Sequence, residues 1–254
     1  MPRTLKSLKT PLRYPGGKSR ALANLFRFLP DLSQAKEYRE PFLGGGSVAI
    51  EVTKRYPNLP IWVNDLYKPL YLFWTALRDD GNYLYDQLIQ LKQRHPDPGS
   101  AKQLFLDAKE KVNDDDIGYK DKAVAFYIIN KCSFSGLTES SSFSPQASES
   151  NFSIRGIENL KTYSILIKNW KITNNNYNDL LTNDESIVTY LDPPYEIKSN
   201  LYGKKGNMHK GFDHDGFATL CDQFDGHQLI SYNSSQLIRD RFKEWTVSEF
   251  AHTY

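Results

Sequence analysis

The stretch "EPFLGGGSVAIE", residues 40–51, sets an acid, a proline and an aromatic ahead of three consecutive glycines, then turns to apolar residues at helical spacing. Glycine permits a tight turn and a close approach of backbone to a ligand, and a helix opening there offers free N–H groups. Gly44-x-Gly46-x-x-Ala49 fits the loose dinucleotide-binding fingerprint, and Asp65 stands about 20 residues further on, where an acid ending a second strand can accept two bonds from ribose hydroxyls. This reading calls for a cofactor containing adenosine. A plain strand-to-helix turn with an incidental acid accounts for the same residues without a ligand.

Outward from this turn the pattern is mixed α/β. "ALANLFRFLP" (21–30) and "GSVAIEVTKRYP" (46–57) have helical spacing and end at prolines, while "PIWVND" (60–65) reads as a short strand closing on an acid. From 68 to about 130 the chain is helical in pattern, as "KPLYLFWTALRD", "NYLYDQLIQLKQRH", "AKQLFLDAKEKV" and "DKAVAFYIINK", divided by Gly, Pro and Asp clusters. A Ser-rich segment with Phe134, Phe143 and Phe152 follows, and a flexible linker is one reading of it. Alternation then resumes, with strands expected at "SIVTYLD" (186–192), "HQLISYN" (227–233) and "TVSEFAH" (246–252), and helices at "HDGFATLCDQF" (214–224) and "SQLIRDRFKEW" (235–245). The fold class expected is α/β, a sheet with helices on both faces interrupted by a helical insertion.

Composition bounds the function. The 254 residues are 39% hydrophobic and 13% aromatic, enough for a sizeable core. The mean hydropathy of −0.58 and a first segment, "MPRTLKSLKT", without an apolar run point to a soluble, cytoplasmic protein with no membrane association. Two cysteines and five scattered histidines lack metal-ligand spacing, so no metal is expected. A formal charge of +2 does not announce a nucleic-acid binder, but its distribution is uneven. Arg3, Lys6, Lys9, Arg13, Lys18 and Arg20 fall in the first twenty residues with no acid among them, and Lys198, Lys204, Lys205 and Lys210 form a second acid-free run. Each alone reads as a solvated face; together, flanking a candidate site, they suit a polyanion.

Two further motifs bear on chemistry. Gly17-Lys18-Ser19 imitates the tail of a phosphate loop, but the glycine that motif needs at position 12 is Leu12. "VTYLDPPYEIKS" (188–199) ends a buried strand on Asp192-Pro193-Pro194-Tyr195. Pro193 has no backbone N–H and the two rings stiffen the chain, so a carboxylate and the Pro193 carbonyl can face outward as an acceptor-only pair. Such a pair suits a planar exocyclic amine, with Tyr195 as a stacking face. The same four residues also suit a proline-rich turn with a capping Asp and a core Tyr.

In this order, "RYPGGKSRAL", "EPFLGGGSVAIE", Asn64-Asp65, "YLDPPY" and "LISYN" resemble the α-class, D12-type, Dam-like DNA adenine-N6 methyltransferases over about 11–233. The resemblance implies a Rossmann-like, S-adenosyl-L-methionine-dependent catalytic domain over 1–67 and 161–254, with a helical target-recognition domain over 68–160. Tyr14, Gly17, Lys18, Glu40, Pro41, Phe42, Gly44, Gly45, Gly46 and Ser47 would hold the methionine end of the cofactor, with Asp192 nearby. Asp65 would take the ribose and Asp179 the adenine amine. The acceptor motif, Asp192, Pro193, Pro194 and Tyr195, would hold an adenine rotated out of duplex DNA while its N6 attacks the sulfonium methyl; whether Asp192 also takes the proton stays open. Residues 131–160 stand in the place of a DNA-reading hairpin and loop, which assigns DNA contacts to Lys131, Ser133, Ser135, Thr138, Asn151 and Arg155. Lys9, Arg13, Lys198, Lys204 and Lys205 would meet phosphates, the last three from a loop closing over the extruded nucleotide. The arginine- and asparagine-containing pattern of GATC readers is absent, so no recognition sequence is implied. The partners expected are double-stranded DNA and a cognate restriction endonuclease, with the chain a monomer.

Three rival functions share parts of this pattern. An NAD-dependent dehydrogenase has the glycine turn but gives Asp192 to Tyr195 no role. A protein-glutamine methyltransferase carries a related acceptor tetrapeptide, usually opening on Asn, and has no need of the basic runs. A non-catalytic DNA-binding relative would not need both the cofactor turn and the acceptor motif intact.

Overall fold

The computed structural model of the chain describes residues 8–134, 141–195 and 211–250. Five parallel strands form one sheet in the order β3-β2-β1-β4-β5: β1 Glu37–Glu40, β2 Ile61–Asn64, β3 Lys171–Thr173, β4 Ile187–Leu191 and β5 His227–Ile230. Tyr38 pairs with Ile61 on one side and with Val188 on the other, so β1 is central. Strand order runs outward from β1 to β3 and then reverses to β4 beside it, which makes the β1/β4 junction the switch point of a doubly wound sheet. All five residues of β4 are buried, as expected of a strand covered on both faces.

Helix α1 (Leu22–Phe28) and α2 (Ser47–Arg55) belong to the first half of the sheet unit. Between β2 and β3 lie α3 (Lys68–Arg94), α4 (Pro98–Lys111), α5 (Tyr119–Cys132), α6 (Pro145–Ser150) and α7 (Ile154–Leu166). The two helices expected at 68–79 and 82–95 form a single α3 kinked at Asp80 (φ −151°, ψ 64°), whose carboxylate accepts the Tyr83 N–H and so caps the second half. Asp97, Ser144 and Ser153 cap α4, α6 and α7 through side-chain oxygens. Two serines of the Ser-rich segment are therefore helix-starting residues. Helix α7 packs along α3 and runs through the boundary expected at 160–161.

One apolar core unites sheet and insertion: Trp74 of α3 lies 5.7 Å from Trp170, centroid to centroid, and Tyr38, Phe73, Phe126 and Tyr127 are fully buried around them. A second cluster, Leu191, Phe217, Cys221 and Phe242, joins β4 to α8 (His214–Cys221) and α9 (Gln236–Arg241). The strand expected at 246–252 does not form over its described part, 246–250. Residues 246–250 and β5 line one cavity of about 770 Å³, and none of the described strands pairs with them. No described helix is long and apolar enough to cross a membrane, and no group of three or more His, Cys, Asp or Glu among the described residues is placed to hold a metal.

Candidate active site

The glycine turn opens where β1 ends. Gly44 (φ +49°) and Gly46 (φ +67°) take the left-handed conformation that disfavours a Cβ. A Cβ on Gly44 would also meet the Tyr14 ring at 3.0 Å and one on Gly46 the Trp74 ring at 2.7 Å. Tyr14, from the first motif, thus lies against the turn, and Thr10 Oγ1 donates to the Gly45 carbonyl over 2.5 Å. Asp65, just past β2, accepts the Gly44 N–H at Oδ2 and the Tyr67 N–H at Oδ1, each over 2.9 Å. Burial pushes its carboxyl up to about 6, against the pull of those two N–H groups. Asn64 ties the neighbourhood together: its amide donates to the Pro41 and Asn175 carbonyls while its oxygen accepts from Thr173 and the Asn175 N–H.

Glu40, the last residue of β1, is 2% exposed. Its carboxyl is pushed up to about 8, chiefly by burial and further by the nearby Asp192 carboxylate. The Tyr38 hydroxyl, which donates to its Oε2 over 2.9 Å, the Ala49 N–H and the Lys18 charge oppose that rise. A buried carboxyl so poised takes a cationic partner readily, because a ligand's positive charge offsets the cost of ionising it.

Across the switch point, β4 ends at Leu191 and delivers Asp192. Lys18 Nζ reaches Asp192 Oδ2 over 2.5 Å, donates to the Gly16 carbonyl over 2.8 Å and lies 4.8 Å from the centre of the Tyr195 ring. Ser231 Oγ donates to Asp192 Oδ1 over 2.6 Å. The Tyr195 ring stands 6.0 Å from that of Tyr232, whose hydroxyl meets His214 Nδ1 at 2.9 Å. A cavity of about 400 Å³ runs between these two halves of the site. Tyr14, Gly17, Lys18, Glu40, Pro41, Phe42, Gly44, Gly45, Gly46, Ser47, Asp65, Asp192, Pro193, Pro194 and Tyr195 all line it. Its size is that of a pocket for a cofactor-sized molecule.

One expected cofactor residue lies elsewhere. Asp179, in the turn over Tyr177–Leu180, is exposed and off the cavity wall, and the neighbouring Asn176 and Tyr177 line the wall instead. Tyr177 stacks on Phe42 at 5.3 Å, with Phe212 packed edge-on against Phe42. Of the residues expected to meet DNA, Arg13, Lys131 and Ser133 come together at the end of α5. The Arg13 N–H bonds Asn130 Oδ1, its guanidinium donates to the Ser133 carbonyl, and the buried Asn130 amide donates back to the Arg13 carbonyl. Lys131, half-buried with its ammonium 5.2 Å from the Tyr127 ring centre, is lowered to about 7, by burial first and by the Arg13 charge second. Ser133 is buried, Lys9 and Arg155 are exposed, and Asn151 is half-exposed at the end of α6. Ser135, Thr138, Lys198, Lys204 and Lys205 lie outside the described residues. Sequence reading missed Ser231, Tyr232, His214, Tyr177 and Phe212. Only "LISYN", already part of the resemblance, carried a signal for the first two.

A doubly wound parallel sheet with a glycine turn on one side of its switch point and Asp-Pro-Pro-Tyr on the other is the layout that the resemblance implies for a methyltransferase of amino groups. The chain belongs to the D12 class N6 adenine-specific DNA methyltransferases, whose family model matches residues 14–254. It is 28% identical over 202 residues, 74% of this chain and 70% of the relative, to the type II methyltransferase M.MjaIII of Methanocaldococcus jannaschii. It is 24% identical over 224 residues to a DNA adenine methylase of Vibrio cholerae, covering 86% of this chain and 76% of that one. A third relative, the type II methyltransferase M.CviBI of a Paramecium bursaria Chlorella virus, is 24% identical over 256 residues, 97% of this chain and 91% of its own. The protein is an adenine-specific DNA methyltransferase, with DNA and a methyl donor as its substrates.

Proposed function

We propose that the methyl donor is S-adenosyl-L-methionine, that it binds along the glycine turn, and that the adenine it serves is rotated out of duplex DNA to reach Asp192. The observation carrying this reading is one cavity that joins the carboxyls of the buried Glu40 and the half-buried Asp65 to the Asp192-Pro193-Pro194-Tyr195 motif. The residues present fit the cofactor. Gly44 and Gly46 hold the left-handed turn that presents backbone along the cavity, Asp65 offers acceptors to a ribose, and Glu40 offers one to an ammonium. Phe42 and Tyr177 give a flat apolar wall. When bound, the cofactor supplies an electrophilic sulfonium methyl.

The chain's own residues then handle the base. Tyr195 stacks on the adenine, recovering part of the few kcal/mol that unstacking costs. Asp192 and the Pro193 carbonyl accept the two amino hydrogens, which turns the N6 lone pair out of the ring's conjugation. As positive charge develops on N6, the Asp192 carboxylate stabilises it. Lys9, Arg13, Lys131, Ser135, Thr138, Asn151, Arg155, Lys198, Lys204 and Lys205 supply DNA contacts, shared between a target-recognition unit over 68–160 and the catalytic unit over 1–67 and 161–254 into which it is set; Ser133, fully buried, instead holds the Arg13 guanidinium through its carbonyl. The names of two type II relatives favour a companion restriction endonuclease. The enzyme acts as a cytoplasmic monomer.

Incubating the protein with labelled S-adenosyl-L-methionine and unmethylated genomic DNA, then mapping modified bases, tests the reaction and yields the recognition sequence. Asp192→Ala is expected to lose methyl transfer by about 1000-fold or more while cofactor affinity stays within about threefold. Near-normal turnover in that variant would end the assignment of Asp192 as acceptor.

A further inference from the structure

We propose that Ser231 is a positioning residue for Asp192, acting as the middle of a chain that begins at the Tyr190 hydroxyl. The proposal rests on the reading of Asp192 as the acceptor of the adenine amine. Ser231 directly follows β5, and its N–H donates to the Leu191 carbonyl over 2.9 Å, so the β4/β5 ladder continues one step and holds Ser231 beside the strand end that carries Asp192. Ser231 Oγ lies 2.6 Å from Asp192 Oδ1 and 2.9 Å from the Tyr190 hydroxyl. An ionised carboxylate only accepts, so the single Ser231 hydrogen goes to Asp192 and Tyr190 donates into Ser231 Oγ. Tyr190 is fully buried on β4, two residues before Asp192 and on the same side of the strand.

The consequence is orientational. Rotation of the Asp192 carboxylate about its last bond decides whether its remaining lone pairs meet an amine in the plane of an aromatic base. Lys18 holds the other oxygen, but from the end of a flexible four-carbon stem that also serves the Gly16 carbonyl. Ser231 has a short side chain on a paired strand and a buried phenol behind it. The structure thus assigns the setting of the carboxylate plane to Ser231, with Tyr190 fixing the direction of its hydroxyl.

The test is single-turnover methylation of unmethylated genomic DNA with saturating tritiated S-adenosyl-L-methionine. Ser231→Ala is expected to slow the step by about 10- to 100-fold, the range for losing one hydrogen bond to a charged group, with cofactor and DNA dissociation constants unchanged within about twofold. Tyr190→Phe should cost about three- to tenfold, and the double variant should be slower than Ser231→Ala by clearly less than that factor, because the phenol donates into the serine hydroxyl. Ser231→Thr, which keeps the hydroxyl, should recover most of the rate, and all four proteins should melt within a few degrees of the parent. A Ser231→Ala rate within about twofold of wild type, losses that multiply in the double variant, or a rate loss matched by lost cofactor affinity would each overturn the proposal. Asp192→Ala, run alongside, separates the two claims: if it stays active, the acceptor reading fails, whereas an inactive Asp192→Ala with a fully active Ser231→Ala sinks only the role of the serine.

Discussion

Glu40→Gln isolates a strongly perturbed carboxyl on the cavity wall. With its carboxyl raised to about 8, only about a tenth of the protein carries an ionised Glu40 at pH 7. If the cofactor's ammonium is received by the ionised form, ionising Glu40 costs binding about a factor of ten in affinity at pH 7 and about a hundred at pH 6. The sign follows: bound cation favours the deprotonated acid, so binding releases a proton wherever the free protein holds one, below about 8. Calorimetry with S-adenosyl-L-methionine between pH 6.5 and 8.5, in two buffers of different ionisation enthalpy, reads both quantities. This window stays above Asp65, which titrates near 6. Affinity should rise by up to tenfold per pH unit below 8 and turn down above it, where the cofactor's own amino group, an α-amino group of pKa about 8, loses its charge, and most of one proton should be released at pH 7. Glu40→Gln should show no such release and no rise below pH 8, only the fall above it. The same group lowers the stability of the free protein as pH rises from about 4.5 to 8, because the folded state there binds a proton that the unfolded state does not. Urea titrations should accordingly show Glu40→Gln gaining on wild type across that window. Zero proton release by wild type at pH 7, or an unchanged slope in Glu40→Gln, would refute the reasoning.

Two other perturbations probe the turn and the DNA side. Gly46→Ala should cost about 2–4 kcal/mol in urea denaturation, since it places a Cβ at φ +67° and 2.7 Å from the Trp74 ring, both of which a local shift must relieve. Lys131, lowered to about 7, is charged below that pH and neutral above it; a DNA phosphate would restore the charge, so binding takes up a proton above pH 7, opposite in sense to Glu40. Fluorescence anisotropy with an arbitrary duplex should therefore show wild-type affinity falling about three- to tenfold more than that of Lys131→Met between pH 7 and 8.5, and equal falls would remove Lys131 from the interface.

Much of the catalytic half was legible because its signals are local. Three glycines before a helical run, an acid closing "PIWVND" and two prolines after a buried strand each restrict the backbone through their own sterics, and the structure lines one cavity with all of them. Alternating strands and helices also foretold the parallel sheet. The three-residue β3 was missed because it is too short to show a period, and α7 because its start depends on Ser153 capping inside a segment whose serines read as linker. The strand expected at 246–252 failed for the converse reason. Its residues favour extended backbone, but a strand exists only where a partner lies alongside, and over 246–250 none of the described strands pairs with them.

The amino-acid order alone therefore determined the class of chemistry, since glycine, proline and carboxylate act at their own positions. Only the tertiary structure decided how the acceptor is held. Lys18 and Ser231 reach Asp192 from 174 and 39 residues away, on segments brought together by strand pairing and core burial. No local pattern encodes such a meeting, because its energy is gained only after the chain between has folded.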